Sequence, residues 1–265
     1  MTDVELSERE FGLFRDFIYH YAGVKLHDGK SALVSSRLHK RVRHYNLSSY
    51  SDYYQLIAGK DPDAVEQQLA IDLLTTNETY FYREPKHFDF LQSLAMTHTG
   101  SMRVWSAASS TGEEAYSIAM LLAVHKRINW EVVGTDISQT VLTQARRGVY
   151  PIQASDQIPQ ALLKKYCLKG VGNAAGTLRI DADVRQHVSF QHANLKSPQN
   201  GLGQFDVAFL RNVMIYFDQG TKQQVLNNVV SQVKKGGYLF IGHAESLNGL
   251  QHQLTLVQPA VYQVC

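Results

Sequence analysis

Met102-Arg-Val-Trp-Ser-Ala-Ala-Ser-Ser-Thr-Gly-Glu-Glu-Ala-Tyr-Ser-Ile-Ala-Met120 passes from a β-rich run, through a tract of small residues, into a helical stretch. That order is the opening unit of a parallel sheet with crossover helices. Further β-rich runs lie at Val132 to Gly134, Val188 to Gln191, Val207 to Leu210 and Tyr238 to Ile241. Helices are expected between them at Glu113 to His125, Gln139 to Arg146 and Thr221 to Gln232, which makes the region after Pro85 a doubly wound α/β domain. Tyr150 to Asp183 is too long for a simple connection. With Gly170, Gly172 and Gly176 ahead of Thr177-Leu-Arg-Ile180, it reads as an inserted subdomain with a glycine-rich hairpin loop.

Upstream the period changes. From Ser7 to Leu74 apolar residues recur at helical spacing, as in Phe11, Phe14, Ile18 and Tyr21, then Val34, Leu38, Val42 and Tyr45. Ser7 with Glu10 has the form of a capping box, and further helices are expected over Ser49 to Ala58 and Pro62 to Leu74. A helical bundle therefore precedes the α/β domain.

Composition excludes several classes. A 44% apolar chain of 265 residues can bury a core without covalent staples. No run approaches a membrane span, and Met1-Thr-Asp-Val-Glu lacks the basic, then apolar, pattern of an export signal, so a cytoplasmic protein is expected. Cys167 and Cys265 have no partner at ligand spacing, so neither a metal site nor a redox pair is expected. Net charge of +2 gives no general attraction to nucleic acid. Yet no acid falls between Asp28 and Asp52, where Arg37, Lys40, Arg41 and His44 follow at i, i+3, i+4 and i+7 along one helix face. Such a face is a solvated surface or a docking site for an acidic partner. No long exposed apolar stripe argues for an obligate dimer, and a monomer is expected.

In a doubly wound sheet, ligands bind at the carboxyl ends of the strands. After the first strand, Ser106 to Glu114 lets a ligand approach the backbone closely, although only Gly112 is glycine and the dinucleotide fingerprint is absent. Alone it equally describes an ordinary turn. The second strand ends at Gly134-Thr-Asp136, whose surface carboxylate either accepts ribose hydroxyls or caps the next helix. The third strand ends in Arg211-Asn-Val-Met-Ile-Tyr-Phe217, and Lys234-Lys-Gly-Gly237 reads as a tight turn into the next strand. Leu74-Thr-Thr-Asn-Glu-Thr-Tyr-Phe-Tyr-Arg-Glu-Pro85, ahead of the sheet, is a polar and aromatic linker that either folds over a ligand or serves as a hinge.

Together, TTNETYFYRE, VWSAASSTGEEAYSIAM, GTDIS, HANL, FLRNVMIYF and GGYLFIGHAESL closely resemble the CheR family of chemotaxis receptor glutamate O-methyltransferases, over nearly the whole chain. The resemblance implies an all-α N-terminal domain (1–75), a linker (76–88) and a class I, Rossmann-like methyltransferase domain (89–265) carrying an antiparallel β-subdomain at about 150–187. It implies S-adenosylmethionine as methyl donor, S-adenosylhomocysteine as product, and contacts from Asn77, Thr79, Arg83, Glu114, Asp136, Asn194, Leu195, Arg211 and Asn212, with Asp136 on the ribose. Glu113 adjoins Glu114 and is the alternative for that contact. Glu78 stands where the family often has Leu. Implied partners are the methylation helices of a bacterial chemoreceptor, met through Arg37, Lys40 and Arg41, and a receptor C-terminal peptide, met through the loop of Gly170 and Gly172. Recruitment to membrane receptor arrays follows.

A glutamate nucleophile is already ionised at pH 7, so the protein needs no general base. Arg83 is expected to orient carboxylates and Tyr216 to stand near the transferred methyl group. A nucleic-acid amino-methyltransferase would carry an Asn/Asp-Pro-Pro-aromatic run where this chain has RNVMIYF. A catalytically silent cofactor-binding scaffold is the remaining reading, separated by an activity assay.

Overall fold

Ser7 opens the first helix as its residues require: its hydroxyl accepts from the Glu10 amide at 3.3 Å while the Glu10 carboxylate accepts from the Ser7 amide at 3.0 Å. The computed structural model describes residues 4–59, 64–125 and 127–265. α1 (Glu8–Ala22), α2 (Ser31–His44), α3 (Tyr50–Gly59) and α4 (Val65–Leu74) form the N-terminal bundle. The helix expected from Pro62 begins at Val65, and Pro62 lies outside the described residues. Phe11, Phe14, Ile18, Val34, Leu38 and Val42 are buried against Tyr50, Tyr53 and Leu74. Tyr45, expected in that stripe, is 40% exposed and instead donates its hydroxyl to Glu66.

The basic face of α2 also differs from expectation. Arg41 is not a free cation. Its guanidinium donates two hydrogen bonds, of 2.8 and 2.7 Å, to the buried Glu66, which also accepts from Tyr53 at 2.8 Å. Arg37 turns inward and donates to the Thr75 carbonyl at 2.9 Å. Lys40 and His44 remain exposed. A long cation satisfies a buried acid across the bundle wherever one lies within reach, and a helical wheel does not display that acid.

In the larger domain α5 (Pro85–Thr97) precedes the first strand. It was not anticipated, and it takes the end of the expected linker into a helix with proline at its first turn. Then follow β1 (Ser101–Ala107), α6 (Glu113–Leu122), β2 (Asn129–Asp136), α7 (Gln139–Arg147), the insert, β6 (Val188–His192), β7 (Phe205–Leu210), α10 (Gln219–Val230), β8 (Val233–Ile241), β9 (Leu254–Gln258) and β10 (Val261–Val264). The sheet order is β6-β2-β1-β7-β8-β10-β9. The first five strands are parallel and β10 runs antiparallel to both its neighbours. Gly236 and Gly237 do not form a turn ahead of β8: they lie within it, with Gly236 at φ +79°, where the pairing register with β7 slips.

Apolar layers cover both faces, one between the sheet and α5, α6 and the insert, the other between the sheet and α10. The insert holds β3 (Val149–Pro151), α8 (Gln160–Tyr166), β4 (Cys167–Lys169), β5 (Thr177–Ile180) and α9 (Ala182–Arg185), with an antiparallel sheet in the order β3-β5-β4. The β4–β5 loop has Gly172 and Gly176 at positive φ. Gly170 is not at positive φ. Its constraint is space, because a Cβ there would lie 1.9 Å from the Ala174 carbonyl oxygen.

The two domains dock closely. Asp72 of α4 accepts from the Gln139 and Thr140 amides at 3.1 and 2.8 Å, and Ser138 accepts from Val141, so the first turn of α7 is capped jointly from both domains. Val24 bridges to Phe217, and Lys196 donates to the carbonyls of Tyr19 and His20. Among the described residues no helix is long and apolar enough to cross a membrane.

Candidate active site

The chain order reverses around β1, which lies between β2 and β7, so the carboxyl ends of these three strands open onto one place. Beyond β1 the backbone alternates into the left-handed region at Ala108 (φ +62°), Ser110 (+50°) and Gly112 (+97°). For a non-glycine residue this costs about 1–2 kcal/mol, and such strain collects where a loop must present its backbone to a ligand. Hydrogen bonds hold the loop: Ser109 amide to Thr135 carbonyl at 2.8 Å, and Ser110 hydroxyl to Asn77 carbonyl at 2.8 Å.

Asp136, at the end of β2, is only 6% exposed. It is therefore not the surface carboxylate that the sequence suggested. One oxygen accepts from the Ser110 amide and the other from the Ser138 amide, each at 2.9 Å, so it fixes the loop after β1 to the start of α7. Burial pushes its pKa up, against the pull of these amides. A carboxylate has about four lone-pair positions, and the amides take two.

Glu114, rather than Glu113, lines the cleft. It accepts from Ser106 at 2.7 Å and from Arg211 at 2.9 Å, and burial pushes its pKa up. Glu113 bonds Thr111 instead. Arg211, at the end of β7, is 5% exposed and sits between Glu114 and Glu84, 3.0 Å from the latter, over the rings of Phe88 and Phe209. A buried guanidinium flanked by two carboxylates is fully compensated, which makes it a rigid strut in the cleft wall. Asn212 follows at φ +57°. Its amide donates to Glu245 at 2.8 Å and its side chain to Glu84 at 3.3 Å. Burial pushes Glu245 up, and backbone amides, Gly242 and Asn212 first, pull against it.

These groups line a cleft of about 360 Å³ between the domains, at the small end of the range of small-molecule sites. Asn77, Thr79 and Arg83 of the linker form one wall, with the Arg83 guanidinium 5.5 Å from the centre of the Tyr80 ring and bonded to the Glu78 carbonyl. Asn194 donates to the Tyr21 carbonyl at 2.6 Å beside the buried Leu195. Tyr216 lies in the turn Met214–Tyr216, whose last carbonyl accepts from Lys25 at 2.8 Å. Arg37 reaches the same cleft, whereas Lys40, Arg41, Gly170 and Gly172 are not among its lining residues.

Sequence reasoning passed over two features. Lys25 and His27, from the connection between α1 and α2, join Lys30 of the acid-free stretch in adding basic groups to the cleft lining that Arg37 shares. Glu84 ties the cleft wall together, accepting from Arg211, Asn212 and the His243 amide; Arg211 and these amides outweigh burial and hold it below the usual carboxylate range. The buried His87 lies 3.4 Å from it, and burial, then the Arg211 charge, bring the imidazole pKa down to about 4. Only the adjacency of Glu84 to Arg83 in YRE could have drawn attention to it.

The cleft chemistry fits S-adenosylmethionine. Asp136 and Asn194 offer polar partners for a nucleoside, Leu195 and Phe88 apolar surface, and the linker and Glu114 bound the remaining end. Comparison with known proteins agrees. The family model described as the SAM binding domain of CheR methyltransferase matches residues 77–262, and that of the CheR methyltransferase all-alpha domain matches residues 9–75. The chain is 39% identical to the chemotaxis protein methyltransferase of Escherichia coli strain K12, over 99% of this chain and 93% of that protein. It is 38% identical to chemotaxis protein methyltransferase 2 of Pseudomonas aeruginosa, over 97% and 93%. With the corresponding protein of Borreliella burgdorferi identity is 32%, over 98% and 96%. The fold, the cleft and these matches establish that the chain belongs to the CheR family of S-adenosylmethionine-dependent methyltransferases.

Proposed function

We propose that this chain methyl-esterifies glutamate side chains on bacterial chemoreceptors. The observation that carries the reading is the basic lining of the cleft, where Lys25, His27, Lys30, Arg37 and Arg83 share one cavity with Tyr216, a set of groups that suits an anionic nucleophile. A carboxylate nucleophile needs orientation and desolvation rather than deprotonation. The bound cofactor supplies an electrophilic methyl group on a sulfonium.

The rest is the work of the chain's own residues. Asp136 takes the ribose hydroxyls on its remaining lone pairs, and Asn194 and Leu195 bound the base. Arg83, held by the Glu78 carbonyl, orients a carboxylate bidentately. Tyr216 presents its ring and hydroxyl to the reacting centre. Glu114 and Arg211 keep the floor rigid, and docking of the N-terminal bundle excludes water. Lys40 and the exposed end of α2 extend the basic surface toward an acidic receptor helix, with Arg41 contributing packing instead of free charge.

β4 is an edge strand of the insert sheet, with no further strand beside it among the described residues, and Leu168 and Val171 are exposed at 53% and 80%. An extended receptor C-terminal peptide adds there as a further strand, raising local substrate concentration at membrane arrays. The test is transfer of labelled methyl groups to a chemoreceptor preparation followed by mild base. Base-labile label is the ester; label that survives base refutes the glutamate assignment.

A further inference from the structure

Glu84, His87 and His243 converge beside the Arg211 cluster, the first two at the start of α5 and the third just past β8. One carboxylate oxygen and one nitrogen of each imidazole lie within 4.8 Å of one another. His87 is completely buried, and neither ring nitrogen has a hydrogen-bond partner; its 3.4 Å approach to Glu84 is too poorly aligned to count. Leaving such groups orphaned costs about 1–3 kcal/mol each, so a buried imidazole in this state calls for a ligand. Phe240 packs edge-on against the ring at 5.4 Å, while the His243 ring lies 4.7 Å away.

We propose that Glu84, His87 and His243 form a three-ligand site for a borderline-soft transition-metal dication, Zn²⁺ foremost, with a fourth position open to water. Two imidazoles and one carboxylate are a donor set that zinc accepts. Tetrahedral bonds of about 2.0–2.2 Å place ligand atoms roughly 3.3 Å apart. The cluster must therefore contract, and rotation of the exposed His243 supplies the movement. Glu84 couples this site to the cleft. The Glu84 oxygen that faces His87 is the one that accepts from Arg211, so giving it to the metal withdraws it from Arg211, and the new charge repels the guanidinium; occupancy therefore lowers methyl transfer.

The test uses the full chain, stripped of metal, titrated with Zn²⁺ against a chromophoric chelator and separately with Co²⁺ by visible absorption. One equivalent is expected to bind, with the intense bands of tetrahedral cobalt. His243→Ala is expected to weaken binding at least about tenfold, since loss of even an outer partner costs that much. His44→Ala, on the exposed end of α2, is the control and leaves binding unchanged. Circular dichroism verifies that both variants are folded. No saturable binding, or equal affinity in His243→Ala and the parent, overturns the site. Zinc that binds at one equivalent without slowing methyl transfer overturns the coupling.

Discussion

Replacing Asp136 with Asn separates its two tasks. In the structure each oxygen accepts one backbone amide, from Ser110 and from Ser138. Asn keeps a single acceptor, so one amide faces an NH₂ group and stability falls by about 1–3 kcal/mol. Ala would leave both amides orphaned and cost more, which makes Asn the cleaner probe. If Asp136 holds the ribose, two charge-assisted hydrogen bonds become one neutral acceptor. A net loss of about 2–3 kcal/mol corresponds to roughly a 30- to 150-fold weaker affinity. Calorimetric titration with S-adenosylhomocysteine, at a temperature where circular dichroism shows both proteins folded, reads the second effect alone. Affinity within threefold of the parent, alongside the expected loss of stability, would refute the ribose role and leave Asp136 as a loop clasp only.

Glu66→Gln is expected to cost about 2–4 kcal/mol by denaturant unfolding, because Arg41 and the Tyr53 hydroxyl both lose their charged partner. Burial pushes the Glu66 carboxyl up, but its bonds to Arg41, Tyr53 and Tyr45 outweigh this and hold it below 4.5. Its stabilisation is therefore complete above the ordinary carboxylate pKa and disappears as pH falls through the lower folded value; an unfolding profile equally steep in Glu66→Gln below pH 4.5 contradicts the pairing. Arg37→Gln should lower receptor methylation about tenfold at low salt and less at high salt, with S-adenosylhomocysteine affinity nearly unchanged; insensitivity to ionic strength would dismiss its role in meeting an acidic substrate. Gly170→Ala, whose Cβ would strike a carbonyl, should abolish binding of receptor C-terminal peptides while sparing cofactor affinity, and unaltered peptide binding would remove the hairpin from the contact.

The strand-to-helix turn at Ser106 and the strand-end position of Asp136 were legible because both are local: a few adjacent residues fix the turn, the strand end and the following helix. Glu84 was not legible, since its meaning depends on Arg211, 127 residues away, and on a left-handed backbone at φ +59° that no propensity favours at a glutamate. The same holds for Arg41, whose helical spacing shows a basic stripe but not the acid across the bundle. α5 was hidden because its proline reads as a break, although at a first turn it starts a helix. β9 and β10 were hidden too: both are short and interleave polar with apolar residues, and only the pairing of β10 with β8 and of β9 with β10 defines them.

The capping of α7 by Asp72 bears on where one domain's responsibility ends. Without α4, the Gln139 and Thr140 amides lose their acceptor, and the helix start they belong to is the same one that Asp136 grips through Ser138. A catalytic half cut free at residue 77 would therefore carry a frayed wall beside the proposed seat of the nucleoside. Deleting the bundle would weaken cofactor retention along with partner recognition, so the bundle is as much a part of the donor's berth as the sheet is.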